Sequence, residues 1–91
     1  MPEPIIGFIL TPHAVFELQR RGLDEAIVRQ VLAAPEQRDT VRLGRDVLQS
    51  RLEIEGKRYL VRVFVDIDRR PAEVVTVYRT SNVDKYWRSE S

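Results

Sequence analysis

The chain has 91 residues, 15 basic and 14 acidic side chains for a formal net charge of +1, and no cysteine. That length allows a single domain, with its core expected over about residues 5–87 and only about 60 % of the unfolded surface buried. The missing cysteine excludes disulfides, thiolate metal sites and a cysteine nucleophile, and it fits a reducing compartment.

Met1-Pro2-Glu3-Pro4 lacks the positive start of a signal peptide, and the apolar Ile5 to Leu10 is too short for an h-region or a membrane span. A cytoplasmic protein without a membrane partner is expected. Ile5 to Leu10 reads as a short strand or an extended lead-in. Thr11-Pro12 then starts a helix, with Thr as N-cap and Pro in the first helical position. It runs to about Arg21, and Gly22 sits where a C′ glycine ends a helix. Ala14, Val15 and Leu18 form its apolar stripe. Asp24 caps a second helix whose Ile27, Val28, Val31 and Leu32 make an amphipathic face. Ala34-Pro35 ends it, because the residue before proline disfavours helical geometry.

From there the period changes to two. Val47 to Ile54, Arg58 to Ile67 and Ala72 to Thr80 read as strands. Glu55-Gly56 and Asp68-Arg69-Arg70-Pro71 are the turns between them. A further strand over about Thr40 to Leu43 would turn at Gly44. Asn82 to Trp87 is a short helix or an extended tail, and Ser89-Glu90-Ser91 is expected to fray. The fold class is therefore α+β: an N-terminal helical hairpin packed on a three- to four-stranded antiparallel sheet.

Register follows from pattern. Pairing Ile54 with Lys57 sets Gln49 opposite Arg62. Pairing Asp66 with Ala72 sets Arg62 opposite Thr76 and Val61 opposite Val77. Val61, Val63, Val65, Val75 and Val77 then share one apolar face with Leu48, Leu52 and Ile54, unless a bulge intervenes. The opposite face carries Val47, Gln49, Arg51, Glu53, Leu60, Arg62, Phe64, Val74, Thr76 and Tyr78.

On that second face Arg51, Arg62, Gln49, Thr76 and Tyr78 converge, with Glu53 as the nearest acid. One reading is an ordinary solvated face with an Arg–Glu pair. The other is a phosphate site, since guanidinium forks supply paired donors and permanent charge. All basic residues but Lys57 and Lys85 are arginine; an arginine-rich genome explains this as readily as phosphate binding does. His13, the single histidine, is either a surface side chain or a general acid or base titrating near neutrality. Lys85, Tyr86, Trp87 and Arg88 alternate charge and ring, a pattern that stacks bases and neutralises phosphates, or that caps a core edge. No metal-ligand spacing, Ser–His–Asp arrangement or glycine-rich phosphate loop is present, so neither metal nor cofactor is expected.

The order of motifs adds a resemblance. Thr11-Pro12-His13-Ala14, Arg20-Arg21-Gly22-Leu23 and Ala34-Pro35-Glu36 precede Gly56-Lys57, Val61-Arg62-Val63 and Val75-Thr76-Val77-Tyr78. Over about Thr11 to Trp87 this resembles a widespread family of small uncharacterised bacterial domains, which looks like a distant branch of the RelE/ParE/BrnT toxin superfamily. The resemblance implies a RelE-like fold and a toxin-like, metal-independent ribonuclease acting on RNA phosphodiesters. It implies that His13, Arg51, Arg62 and Tyr78 are catalytic and that Thr76 helps position the phosphate; Gln49 from the second face and Lys85 and Trp87 from the tail are the further substrate-binding residues expected. RNA and an antitoxin protein are the partners implied. The alternative is a non-catalytic protein-binding or regulatory module, with a homodimer as one form.

Overall fold

Both helices start where their caps place them. The Thr11 hydroxyl accepts from the Ala14 N–H at 3.1 Å, and the Asp24 carboxylate from the Ala26 N–H at 3.0 Å. The computed structural model describes residues 2–89, so the fraying expected of Glu90 and Ser91 lies outside the described residues. Its elements are β1 (Phe8–Leu10), α1 (Pro12–Arg20), α2 (Glu25–Ala33), β2 (Gln37–Arg42), β3 (Arg45–Ile54), β4 (Lys57–Asp66), β5 (Ala72–Thr80) and α3 (Val83–Tyr86). The first helix ends in a double-bonded glycine cap. Gly22 takes φ +63°, the Leu23 N–H reaches the Leu18 carbonyl at 2.8 Å, and the Gly22 N–H reaches that of Gln19 at 3.3 Å. Leu18 and Leu23 are both buried, the apolar contact that usually accompanies this motif.

The expected architecture needs correcting. The sheet is mixed and five-stranded, in the order β1-β5-β4-β3-β2, rather than an antiparallel sheet of three or four strands under a helical hairpin. β1 lies parallel to β5, pairing Phe8 with Ala72 and Leu10 with Val74. The parallel pair arises because β1 runs directly into α1, which packs on β5 and β1. α2 packs on β3 and β4, so each helix takes its support from strands and neither mainly from the other. The fourth antiparallel strand starts at Gln37 rather than Thr40, and β3 at Arg45 rather than Val47. β2 is polar except for Val41, as an edge strand can be, and so carries little alternation to read.

The β3–β4 register is as expected, with Gln49 opposite Arg62 and Ile54 opposite Lys57. The β4–β5 register is not. Val65 pairs with Val74 and Phe64 with Thr76, leaving Val75 as the extra residue of a β-bulge. The phase of β5 flips there, so Val74 rather than Val75 enters the core with Val61, Val63, Val65 and Val77. On α1, Ala14 and Leu18 are buried while Val15 is exposed, so Val15 is not in the stripe. At the sheet's far end Arg45 donates to both carboxylate oxygens of Asp66, at 2.6 and 3.2 Å, tying the start of β3 to the end of β4. That guanidinium holds the Asp66 carboxyl below its ordinary value. Among the described residues, no helix is long and apolar enough to cross a membrane.

Candidate functional site

β4 is the middle strand of the sheet, and Arg62 stands near its centre on the second face. Its Nε donates to Gln49 Oε1 at 2.8 Å and its Nη1 to the Tyr78 hydroxyl at 2.7 Å. Three rings surround the guanidinium carbon: Tyr86 at 4.7 Å, Phe64 at 5.3 Å and Tyr78 at 5.7 Å from their centroids. The β5 bulge decides this pairing. It brings Tyr78 opposite Arg62 and moves Thr76 opposite Phe64, so Thr76 is not beside the guanidinium as the expected register had it.

Gln49 is the hub beneath. It is 2 % exposed. Its Nε2 donates to Gln37 Oε1 at 2.7 Å and to the Tyr86 carbonyl at 3.2 Å. Every polar atom of this buried amide therefore has a partner, as burial demands. A carboxylate at this position would orient Arg62 equally well but would cancel its charge. Among the described residues no carboxylate lies within ion-pair distance of Arg62, whereas Arg38, Arg45, Arg51 and Arg88 each have one. Arg62 is thus a half-buried, fixed and unneutralised cation.

Arg51 is different. Its acid is Glu36, from the α2–β2 connection, not Glu53. Glu36 Oε1 accepts from the Arg51 backbone N–H at 2.7 Å and from Nε at 3.2 Å, and Oε2 accepts from Nη2 at 3.1 Å. The guanidinium also lies 3.9 Å from the Trp87 ring centroid. One edge of its fork is therefore already taken by a carboxylate. The hydrogen bond from Arg51 holds the Glu36 carboxyl below its ordinary value. A depressed carboxyl contributes stability above its unfolded value, about 4.3, and loses it as pH falls through the lower folded value. Acid titration is expected to change Trp87 fluorescence below about pH 4, as Arg51 is released. In Glu36→Gln that transition should be missing; an identical acid transition in the variant would refute the coupling.

The tail closes over this face. Gln37 Nε2 donates to the Arg88 carbonyl at 2.5 Å, the Arg88 N–H returns to Gln37 Oε1 at 3.1 Å, and the Arg88 guanidinium pairs with Asp39. Trp87 lines a cleft of about 480 Å³ with Pro35, Glu36, Gln37 and Arg51. Lys85 is exposed, its Nζ 5.3 Å from the Tyr86 centroid.

His13 stands apart. It is exposed, and its Nε2 lies 3.8 Å from Glu17 Oε1, one turn further along α1. Among the described residues it forms no hydrogen bond or ion pair with Arg51 or Arg62. Of the residues expected to be catalytic, only Arg62 and Tyr78 meet directly, with Gln49 holding the first of them. Sequence reasoning missed Gln37 and Glu36, whose roles come from strand pairing across a helix–strand connection and leave no local signature. Tyr86 stands in the aromatic and basic run that the sequence does display.

A family model described as a domain of unknown function (DUF4258) matches residues 10–79. The chain belongs to that family. No curated protein and no solved structure matches it. The stretch matched as DUF4258 holds Gln37, Gln49, Arg62 and Tyr78, and ends before Tyr86 and Trp87.

Proposed function

We propose that this domain is a toxin-like, metal-independent ribonuclease that holds an RNA phosphodiester at Arg62 and Tyr78. On this reading the family is distantly related to the RelE, ParE and BrnT toxins. The observation that carries the proposal is the guanidinium of Arg62: fixed by Gln49 and Tyr78, ringed by aromatic side chains and paired with no carboxylate among the described residues. Buried fixed positive charge stabilises an anion best where charge grows during a reaction. Tyr78 accepts from Arg62, so its own phenolic proton is available to a phosphate oxygen or a leaving oxygen. In the reaction proposed, the ribose 2′-oxygen attacks the adjacent phosphorus and the bond to the 5′-oxygen breaks. A 2′,3′-cyclic phosphate remains, and the proton lost from the 2′-hydroxyl is balanced by one delivered to the 5′-oxygen.

The test is growth after induced expression in a bacterial host, paired with cleavage of single-stranded RNA by the purified domain. Wild type is expected to arrest growth and leave cyclic phosphate ends. Arg62→Gln, checked for folding, should lose about a hundredfold or more in cleavage rate, the usual effect of removing one charge-stabilising donor. Normal growth and intact RNA with folded wild type would overturn the proposal.

A second reading, a non-catalytic protein-binding module, draws on another feature. Ile6, Val41, Leu43 and Ile67 are exposed apolar side chains, Leu43 at 96 %. Ile6 and Ile67 line one cleft, and Ile67 is hydrogen-bonded to Gly44, next to Leu43. Exposed apolar groups gathered at one end of a sheet are what a partner surface offers.

A further inference from the structure

The Tyr78 ring has a second arginine. Arg21, the C-cap residue of α1, places its guanidinium carbon 5.8 Å from the Tyr78 centroid, against 5.7 Å for Arg62. The two lie over the same ring from different elements, one from a helix end and one from the central strand, and Arg62 also bonds its hydroxyl. Each is held at Nε, and Arg62 at Nη1 as well. Arg21 Nε pairs with the buried Glu17 carboxylate at 2.9 Å, so Arg21, unlike Arg62, carries an acid partner, but through Nε alone. The terminal nitrogens of Arg21 make no hydrogen bond among the described residues, just as Nη2 of Arg62 makes none. Arg51, by contrast, presents Nε and Nη2 together to Glu36. The glycine cap at Gly22 fixes the helix end, so Arg21 is delivered from a rigid position rather than from a loose loop.

We infer that Arg21 is the second guanidinium of the Arg62 site, so that the phosphate sits between Arg62, Tyr78 and Arg21. The inference rests on the reading of that site as a phosphate site, and it assigns to Arg21 the role that spacing alone gave to Arg51. Glu17 acts as a positioning residue: it orients Arg21 through one edge and leaves the outward amines to the ligand. Arg20 is the built-in comparison. It is one residue away, more exposed, and its Nη1 lies 3.9 Å from the same Glu17.

The experiment is binding of a short 2′-O-methyl oligouridylate, which cannot be cleaved through its 2′-oxygen, to the full chain. Arg21→Gln is expected to raise Kd about tenfold or more, the effect of losing one charge-assisted hydrogen bond. The slope of log K against log salt should fall by about 0.7, one phosphate contact on a single strand. Arg21→Lys keeps the charge and should restore part of the affinity; it also serves as the test if the glutamine variant does not fold. Arg20→Gln should leave Kd unchanged. Loss of affinity in Arg62→Gln with none in either Arg21 variant overturns this inference and leaves the phosphate site standing. No binding by wild type overturns the phosphate site, and the inference with it.

Discussion

Leu48→Ala is expected to lower the unfolding free energy by about 2–5 kcal/mol. Leu48 is 0 % exposed, on the face of β3 that α2 covers, among Leu32, Val61 and Val63 of the single core cluster. Removing its branched end costs the burial of the lost methyl groups and leaves a void that rigid strands cannot close. A domain of this size has about 5–15 kcal/mol in total, so the loss is a large fraction of what holds it folded. Thermal unfolding should move down by about 10 °C or more. The same substitution at Leu43, which is 96 % exposed, should stay within about 0.5 kcal/mol. Similar shifts at both positions would show that the core is not where the fold places it.

Gln49→Glu is the second large effect, and it separates orientation from charge. A carboxylate there would still accept from Arg62 Nε, so the guanidinium keeps its place. It would also face Gln37 Oε1 and the Tyr86 carbonyl, two acceptors now served by the Gln49 amide. Gln37 cannot simply turn over, because its own amide already holds the Arg88 backbone on both sides. The expected cost is about 1–3 kcal/mol for acceptors left without a donor. The effect on binding is larger in kind. The site gains the carboxylate it lacks, and under the proposed function affinity for single-stranded RNA should fall tenfold or more, about 1.4 kcal/mol or greater. Binding unchanged in a folded variant would mean that the charge of Arg62 does not carry the interaction.

What was legible in the sequence was local. Thr11, Asp24 and Gly22 mark the helix ends because capping is a matter of neighbours along the chain. The turn at Glu55-Gly56 fixes the β3–β4 register for the same reason, and with it the contact between Gln49 and Arg62. The bulge at Val75 was not legible. Valines at positions 74, 75 and 77 suit either phase, and only the packing of β5 against β4 decides between them. That one residue determines whether Thr76 or Tyr78 meets Arg62. The partners that neutralise Arg51 or deliver Arg21 come from Glu36 and from the end of α1, through tertiary contacts that spacing cannot display. β1 was open to two readings because three residues pairing with a strand near the other end of the chain leave no pattern of their own.

The borders of the sheet have a consequence for how other chains can approach. On one side β1 is only three residues long and ends where the Thr11 N–H bonds to the Val74 carbonyl at 3.0 Å, and among the described residues no strand pairs with β5 on that side beyond Val74. On the other side β2 carries Arg38, Asp39 and Arg42 and breaks its register between Thr40 and Arg42. Short, covered, charged or kinked borders are the devices by which proteins refuse an additional strand. The β2 border uses them, so extension of the ladder from that side is disfavoured.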